Sequence, residues 1–548
     1  MIKKLSLILV SLFLFACSEQ VKVTTGGINQ MRSDIQYLAS DELEGRDTGT
    51  EGEAKAAAYI AMRFADLGLT GGANDGSFYQ VFEFTGSPIL NTENTLMLNY
   101  EAIADSLFYP LNFSGSNSMK GKAVNVGFGI LAPDLGYDDY KDLEVKGNPV
   151  IIDVSSPDGI HPHSEYLAFH DLRDRAEKAQ ELGATAVIFY TQDKTAQAPS
   201  KTLTENVIPL TIPVVYASLF VSDHTEVTLN MVIDRPKLQG KNVLAFLDKG
   251  KERNIVIGAH YDHLGFGGSG SLHRGEKAIH NGADDNASGV AAMLQLALDL
   301  QEMPLEHNVL FIGFSGEERG LLGSNHWVKN PTMALDKIEY MMNMDMVGRL
   351  DTSKHKLSVN GVGTSPSWSF IDKLDVGGLS AVTTEAGTGP SDHMSFYLSD
   401  LPVLHFFSGS HEDYHKPSDD EGLINYEGIV SIVNYMEAIV KEVDDDGVFT
   451  FTKTKEEKKE AANFKVTLGI IPDYLFEEKG MRVDGVTEGR PGDKAGMLKG
   501  DIIIGMGERS VNDIYAYMEA LGSHNTGDQT DVKVLRDAKE VILKVTFD

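Results

Sequence analysis

The sequence predicts an α/β protein in which helices sandwich a mixed, mostly parallel sheet, with a β-rich α+β domain inserted and a small β domain at the C-terminal end. Three patterns predict it. Between residues 240 and 445, short apolar runs alternate with helical ones, as a buried parallel sheet and its crossovers read. Between 105 and 235 that alternation gives way to short β-like runs around one helix. Beyond 463, after a charged stretch, brief strands and glycine turns return. The 548 residues, 42% apolar and 23% charged, have ordinary globular composition and suffice for about three or four domains. With 80 Asp+Glu against 48 Lys+Arg the formal charge is −32, a field that repels phosphate backbones and anionic lipid and so argues against nucleic-acid or electrostatic membrane binding.

At the N-terminus Lys3 and Lys4 precede an apolar run, Leu5 to Ala16, that ends at Leu14-Phe15-Ala16-Cys17. The run is shorter than the roughly twenty residues a bilayer core demands, and it fits a secretory signal over residues 1–16. Its ending resembles a bacterial lipobox, in which Cys17 is lipidated and becomes the mature N-terminus. A single cysteine also excludes an internal disulfide. The chain is therefore expected to be an exported bacterial lipoprotein, on the periplasmic side of a membrane or at the cell surface, held there by lipid only.

The elements follow in order. Met31–Ala39 and Gly52–Leu67 read as helices around a turn-rich linker, Asp41 to Thr50. Residues 17–104 are taken as the first part of the sheet domain and 105–235 as the insertion, with strands at Val150–Val154, Ala186–Tyr190 and Ile212–Tyr216 and a helix at Asp171–Leu182. Residues 236–445 complete the sheet domain through strands Asn254–Ala259, Val309–Phe314, Tyr340–Met344 and Pro402–Phe407 and a helix, Ala287–Leu300. A charged linker is expected over 446–462 and the last domain over 463–548.

Ligands of open α/β sheets bind beyond the carboxyl ends of the strands, and here chemistry follows each strand. Asn254–Ala259 runs into His260-Tyr261-Asp262-His263, Val309–Phe314 into Ser315-Gly316-Glu317-Glu318, and Tyr340–Met344 into Asp345. Pro402–Phe407 leads to Tyr414-His415, and Asp284-Asp285-Asn286 precede the Ala287 helix. Each motif alone has an ordinary explanation, such as a helix cap or a solvated turn. Together they crowd carboxylates and imidazoles on one sheet edge, which is tolerable when a cation sits among them. Such a mixed set without thiols suits zinc, with enough ligands for two ions sharing one carboxylate, either Asp284 or Asp285. His411-Glu412-Asp413-Tyr414-His415 also matches H-E-x-x-H, but Ser408-Gly409-Ser410 before it and Pro417 after it leave no room for the helix that motif requires.

These segments, with Leu38-Ala39-Ser40-Asp41-Glu42-Leu43-Glu44-Gly45-Arg46, resemble the co-catalytic zinc aminopeptidase family, which includes bacterial leucyl aminopeptidases and, more distantly, glutamate carboxypeptidase and the transferrin receptor. The resemblance covers residues 30–100 and 240–445 and implies a zinc-exopeptidase fold. It implies two zinc ions (other divalent transition metals being possible), with Asp285 bridging, His260 and Asp345 completing one site and Glu318 and His415 the other. It also implies Glu317 as general base, Asp262 as the carboxylate orienting His260, and a cis peptide after the bridging aspartate; Ser391-Asp392-His393 resembles a family segment near the site. Residues 176–190 and 212–215 resemble a protease-associated domain. The C-terminal segment resembles a PDZ domain, with Leu468, Gly469 and Ile470 in the loop that takes a peptide carboxylate. The expected activity is removal of N-terminal residues from peptides with a free N-terminus, and the PDZ domain is expected to take a protein C-terminus. A dizinc carboxypeptidase and an inactive lipid-tethered peptide-binding protein are the alternatives. Glutaminyl cyclisation, typically a one-zinc reaction, is disfavoured because both His260 and Asp345 are present.

Overall fold

The computed structural model describes residues 25–161, 164–192, 197–203, 207–268, 270–273, 275–444, 447, 449–454, 466–472, 479–486, 489–507, 509–512 and 514–547. Cys17 and the expected signal lie outside the described residues, as do residues 455–462 of the expected linker. The chain divides into two compact units, one formed by the residues up to Phe82 and from Gln239 onward, the other by Glu83–Leu238.

The first unit is built on a sheet of ten strands: β1 (Thr70–Gly71), β2 (Tyr79–Thr85), β3 (Lys237–Leu247), β4 (Asn254–His260), β5 (Asn308–Phe314), β6 (Ile338–Met344), β7 (Lys356–Asn360), β8 (Asp375–Val376), β9 (Leu379–Thr384) and β10 (Val403–Phe407). Their order is β1-β3-β5-β4-β6-β10-β7-β9-β8, with β2 pairing β3. The central strands β5, β4, β6 and β10 are mutually parallel. β3 and β7 flank them antiparallel. The sheet is therefore mixed, with a parallel centre.

Every residue of β4, β5 and β6 is buried, as expected of strands covered on both faces. On β5 the alternation is explicit. Val309 and Phe311 face one apolar core, while Leu310, Ile312 and Phe314 face another. Each such side chain contributes roughly 1.5–3 kcal/mol by leaving water. The first core is closed by α1 (Thr25–Leu38), α2 (Glu51–Asp66), α3 (Gly289–Glu302) and, later in the chain, α6 (Tyr426–Val443). The second is closed by α4 (Leu322–Lys329) and α5 (His393–Tyr397), where Trp327 stacks on Phe396 with ring centroids 5.2 Å apart. The expected linker differs at its start: Phe449 packs against Tyr340 and Trp368 at 4.8 and 4.9 Å, and Thr454 Oγ1 lies 2.8 Å from the Tyr397 hydroxyl. Its aromatic residues give residues 449–454 something to bury, which charge counting does not see.

The second unit begins earlier than residue 105. Thr95–Leu98 and Glu101–Ala102 pair with each other, and Thr95–Leu98 pairs with Glu226–Met231, so these strands belong to this unit. The largest of its sheets has five strands, with Val214–Ala217, Ala186–Tyr190, Pro149–Asp153 and Val124–Asn125 parallel and Phe108–Pro110 antiparallel at one edge. One helix, Leu172–Glu181, lies against the apolar core of that sheet; Asp171 caps it by accepting from the Arg173 and Asp174 amides.

The C-terminal residues form a sheet ordered Ile470–Pro472, Met481–Val486, Ile502–Met506, Gln529–Arg536, Lys539–Thr546, with Arg509–Ser510 paired to Ile502–Met506. Ile470–Pro472 is an edge strand of this sheet.

Candidate metal centre

The carboxyl ends of the parallel strands deliver the polar residues. His260 is the last residue of β4, Asp345 follows β6 directly, and Glu317 and Glu318 follow β5 after a turn at Gly316, whose φ is +77°. Asp285 lies in the turn over 283–288 that opens into α3, and the Asp285–Asn286 peptide is cis. His415 sits in the turns after β10; residues 411–415 form no helix, so the H-E-x-x-H pattern has no shared helical face.

These side chains converge. His260 Nε2 is 3.4 Å from Asp285 Oδ1 and 3.4 Å from Asp345 Oδ1. His415 Nε2 is 3.3 Å from Asp285 Oδ2 and 3.3 Å from Glu318 Oε2. The two oxygens of Asp285 thus face two separate donor groups. One group, His260, Asp285 and Asp345, and a second, His263, Asp285 and Glu318, each hold their ligand atoms within 4.8 Å of one another.

The surroundings orient these side chains. His415 Nδ1 is 2.8 Å from the Gly270 carbonyl, which accepts its proton and leaves Nε2 free to bind. His260 Nδ1 is 3.2 Å from the carbonyl oxygen of Asp262 and 3.8 Å from its carboxylate, so the backbone oxygen is the nearer partner. The Asp262 carboxylate instead accepts from the Glu317 amide at 3.1 Å and the Thr48 hydroxyl at 2.9 Å. Asp284, the other aspartate of the pair, turns away. It accepts from Gly348 N and Ser288 Oγ and meets His411 Nε2 at 3.1 Å. The turn itself is held by Asp419, whose carboxylate accepts the amides of Asp284 and Asp285.

Two residues outside the expected set stand at the same place. His263 Nδ1 lies 2.8 Å from Glu318 Oε1 and 3.9 Å from Asp285 Oδ2. The ring of Tyr414 stacks on His415 with centroids 3.8 Å apart. The only sequence signal for either is its adjacency to an expected ligand.

The electrostatics describe a site short of positive charge. Burial pulls His415 down, but Asp285 and Glu318 outweigh it and push it up to about 11. Burial likewise opposes, and Asp345, Glu317 and Asp285 outweigh, in holding His260 well above its ordinary value. Glu317 is raised well above the carboxylate range, first by burial and then by Asp345, Glu318 and Asp392. For Glu318 burial is outweighed by His263 and His415, and it falls well below that range. Carboxylates that hold imidazoles protonated also attract a metal cation, and neutral imidazole with carboxylate and no thiol suits zinc.

In the C-terminal domain, Gly469 has φ +69° and its amide donates to Thr467 Oγ1 at 2.9 Å, while Gly492 N donates to the carbonyl of buried Leu468 at 2.8 Å. Ile470 opens the edge strand. The three residues of the expected carboxylate loop therefore sit in a tight turn leading into an edge.

Residues 242–440 match the family model described as peptidase family M28, and residues 451–547 match that of the PDZ domain. The chain is 27% identical over 351 residues to aminopeptidase YwaD of Bacillus subtilis, covering 59% of this chain and 69% of that protein. It is 26% identical over 419 residues to the probable lipoprotein aminopeptidase LpqL of Mycobacterium tuberculosis, covering 72% and 76%. A third relative, an aminopeptidase of Pseudomonas aeruginosa, is 32% identical over 191 residues, covering 32% and 33%.

Proposed function

The chain belongs to peptidase family M28 and carries a C-terminal PDZ domain, and from that premise we propose that it is a dizinc aminopeptidase that removes residues one at a time from free peptide N-termini. The observation that carries the two-ion reading is Asp285, whose oxygens face His260 on one side and His415 on the other. His260, Asp285 and Asp345 would hold one ion. Asp285, Glu318 and His415 would hold the other, with His263 orienting Glu318. Bound there, two zinc ions would polarise the scissile carbonyl and bring the pKa of a shared water toward neutrality.

The chain's own groups supply the proton path. Burial raises Glu317, which makes its carboxylate a stronger base. It takes a proton from the attacking water and delivers it to the leaving amine. Asp262 contributes by holding the Glu317 backbone amide, which aims the side chain. Burial and the carboxylates of Asp285 and Glu318 keep the Tyr414 phenol protonated, so its hydroxyl is a donor for the developing oxyanion.

The PDZ domain, by the same reading, takes a peptide chain end along the edge strand at Ile470–Pro472, with its carboxylate at Leu468, Gly469 and Ile470. The insertion is read as a protease-associated domain. Export with a lipid on Cys17 follows from the first residues, and the name of the LpqL relative accords with it. No helix among the described residues is long and apolar enough to cross a membrane.

Metal analysis of Asp285→Ala tests the bridging role. Wild type should carry two zinc ions per chain and the variant at most a small fraction of that. A variant that keeps both ions rejects the bridge.

A further inference from the structure

Arg46 lies beneath the metal centre without touching a ligand. It is 1% exposed, and its guanidinium donates to backbone carbonyls from three separate stretches: Nε to Tyr261 at 2.7 Å, Nη1 to Asn281 at 2.6 Å and to Leu38, and Nη2 to Gly282 at 3.0 Å. Tyr261 follows His260, and Gly282 lies three residues before Asp285. One planar fork therefore ties the strand end bearing one ligand to the turn bearing the other.

The backbone around Arg46 continues the same work. Its carbonyl accepts the His263 amide at 3.2 Å, and that of Gly45 accepts the Gly265 amide at 3.0 Å. Thr48 reaches the Asp262 carboxylate, Asp41 accepts from Asn281, and Asp47 receives a bidentate pair from Arg319, the residue after Glu318. Three successive residues, Glu44, Gly45 and Arg46, have left-handed φ values of 47°, 70° and 52°. Such a run costs on the order of 1–3 kcal/mol per non-glycine residue and persists where its surroundings over-determine it. A Cβ at Gly45 would lie 2.5 Å from the carbonyl oxygens of Gly265 and His280, so this turn is pressed against the loop that also orients His415.

We propose that the Asp41–Thr48 turn, with Arg46 at its centre, is the positioning frame of the metal centre: it holds the loops carrying His260, Asp285 and Glu318 in binding register before zinc arrives. This rests on the dizinc reading above. The guanidinium also places a fixed positive charge behind the ligands. Burial lowers it to about 10 and Asp285 and Asp262 oppose that, so it remains charged at neutral pH. Lysine cannot replace it, because one ammonium cannot serve carbonyls from three stretches in one plane.

The test is zinc affinity, measured by competition with a chelating dye, on full-length wild type, Arg46→Lys and Thr48→Val, with circular dichroism to establish folding. Loss of supporting interactions around metal ligands typically costs roughly 10- to 100-fold in affinity, and Arg46→Lys should fall in that range. Its kcat at limiting zinc should fall while KM stays near wild type, and saturating zinc should restore kcat. Thr48→Val, nearly isosteric, should lose roughly 2- to 10-fold and keeps the test alive if Arg46→Lys does not fold. A folded Arg46→Lys that binds zinc within 2-fold of wild type, or an unaltered Thr48→Val where Arg46→Lys is unfolded, overturns the frame. Wild type that takes up no zinc overturns the metal centre itself.

Discussion

Two sheets with parallel centres in this chain end differently. At the carboxyl edge of β4, β5 and β6, residues at or just beyond the strand ends, His260, Glu318 and Asp345, converge on Asp285 as candidate metal ligands. At the carboxyl edge of the insertion's five-stranded sheet, Asp153 ends its strand and spends its carboxylate on the amides of Ser155 and Gln192. Each edge has a buried arginine. Arg46 gathers carbonyls around the loops of the candidate metal centre, while Arg175 gathers those of Phe128, Phe169, Asp153 and Ser155, where no group of three candidate metal ligands is found among the described residues. Parallel architecture thus makes the place available, and the side chains left unused by the backbone make it a site.

The comparison can be broken most sharply at Glu317. Glu317→Gln should keep zinc, since the residue is not in either ligand group, and should lose roughly 10²- to 10⁴-fold in kcat, read by peptide hydrolysis beside metal analysis. Near-normal turnover would remove the general base from the account.

Metal removal comes next. A site occupied at a hundred times its dissociation constant contributes about 2.7 kcal/mol. Chelation should therefore lower the melting temperature of the wild type, and Asp285→Ala should show little further change on chelation. Equal shifts in both proteins would place the stabilising metal elsewhere.

Arg175→Lys sharpens the contrast from the other side. It strips charge-assisted bonds from buried carbonyls and should destabilise the insertion by about 2–4 kcal/mol in denaturant unfolding. Zinc affinity should not change. A loss of zinc affinity would show that the two buried arginines share one role.

The smallest effect concerns a buried carboxyl for which no ion pair is found among the described residues. Glu437 on α6 is raised to about 8, first by burial and then by Asp299. A carboxyl raised in the folded state favours folding while protonated. Its contribution is full below its ordinary value near 4.5 and is lost as pH rises through about 8. Glu437→Gln should flatten that decline and stabilise the protein by on the order of 1–3 kcal/mol at pH 9, measured by chemical denaturation at several pH values. An unchanged pH profile would show that Glu437 is not the titrating group.

Much of the sheet's centre was legible because β4 and β5 are apolar runs from Ile255 and Val309 onward, and β6 is mostly apolar from Tyr340, each giving way abruptly to polar residues. The flanking strands were not: β7 and β9 are only partly buried and mix polar with apolar residues, so they carry no clear period. The insertion's boundary was misplaced because Thr95–Leu98 acquires its meaning from Glu226–Met231, far along the chain. At the candidate site, the residues at the strand ends stood out by position. His263 did not, because its partner Glu318 lies 55 residues away on another loop. Arg46 was visible as part of a motif, but its contacts are backbone carbonyls, which any sequence supplies. That is why side-chain patterns reveal ligands more readily than what holds them.

The most direct test of the central claim is single-residue release from matched free-amine and N-acetylated peptides, before and after chelation. The account predicts release from free amines only, lost with the chelator and restored by zinc. Release from acetylated peptides, or from the carboxyl end, would contradict it.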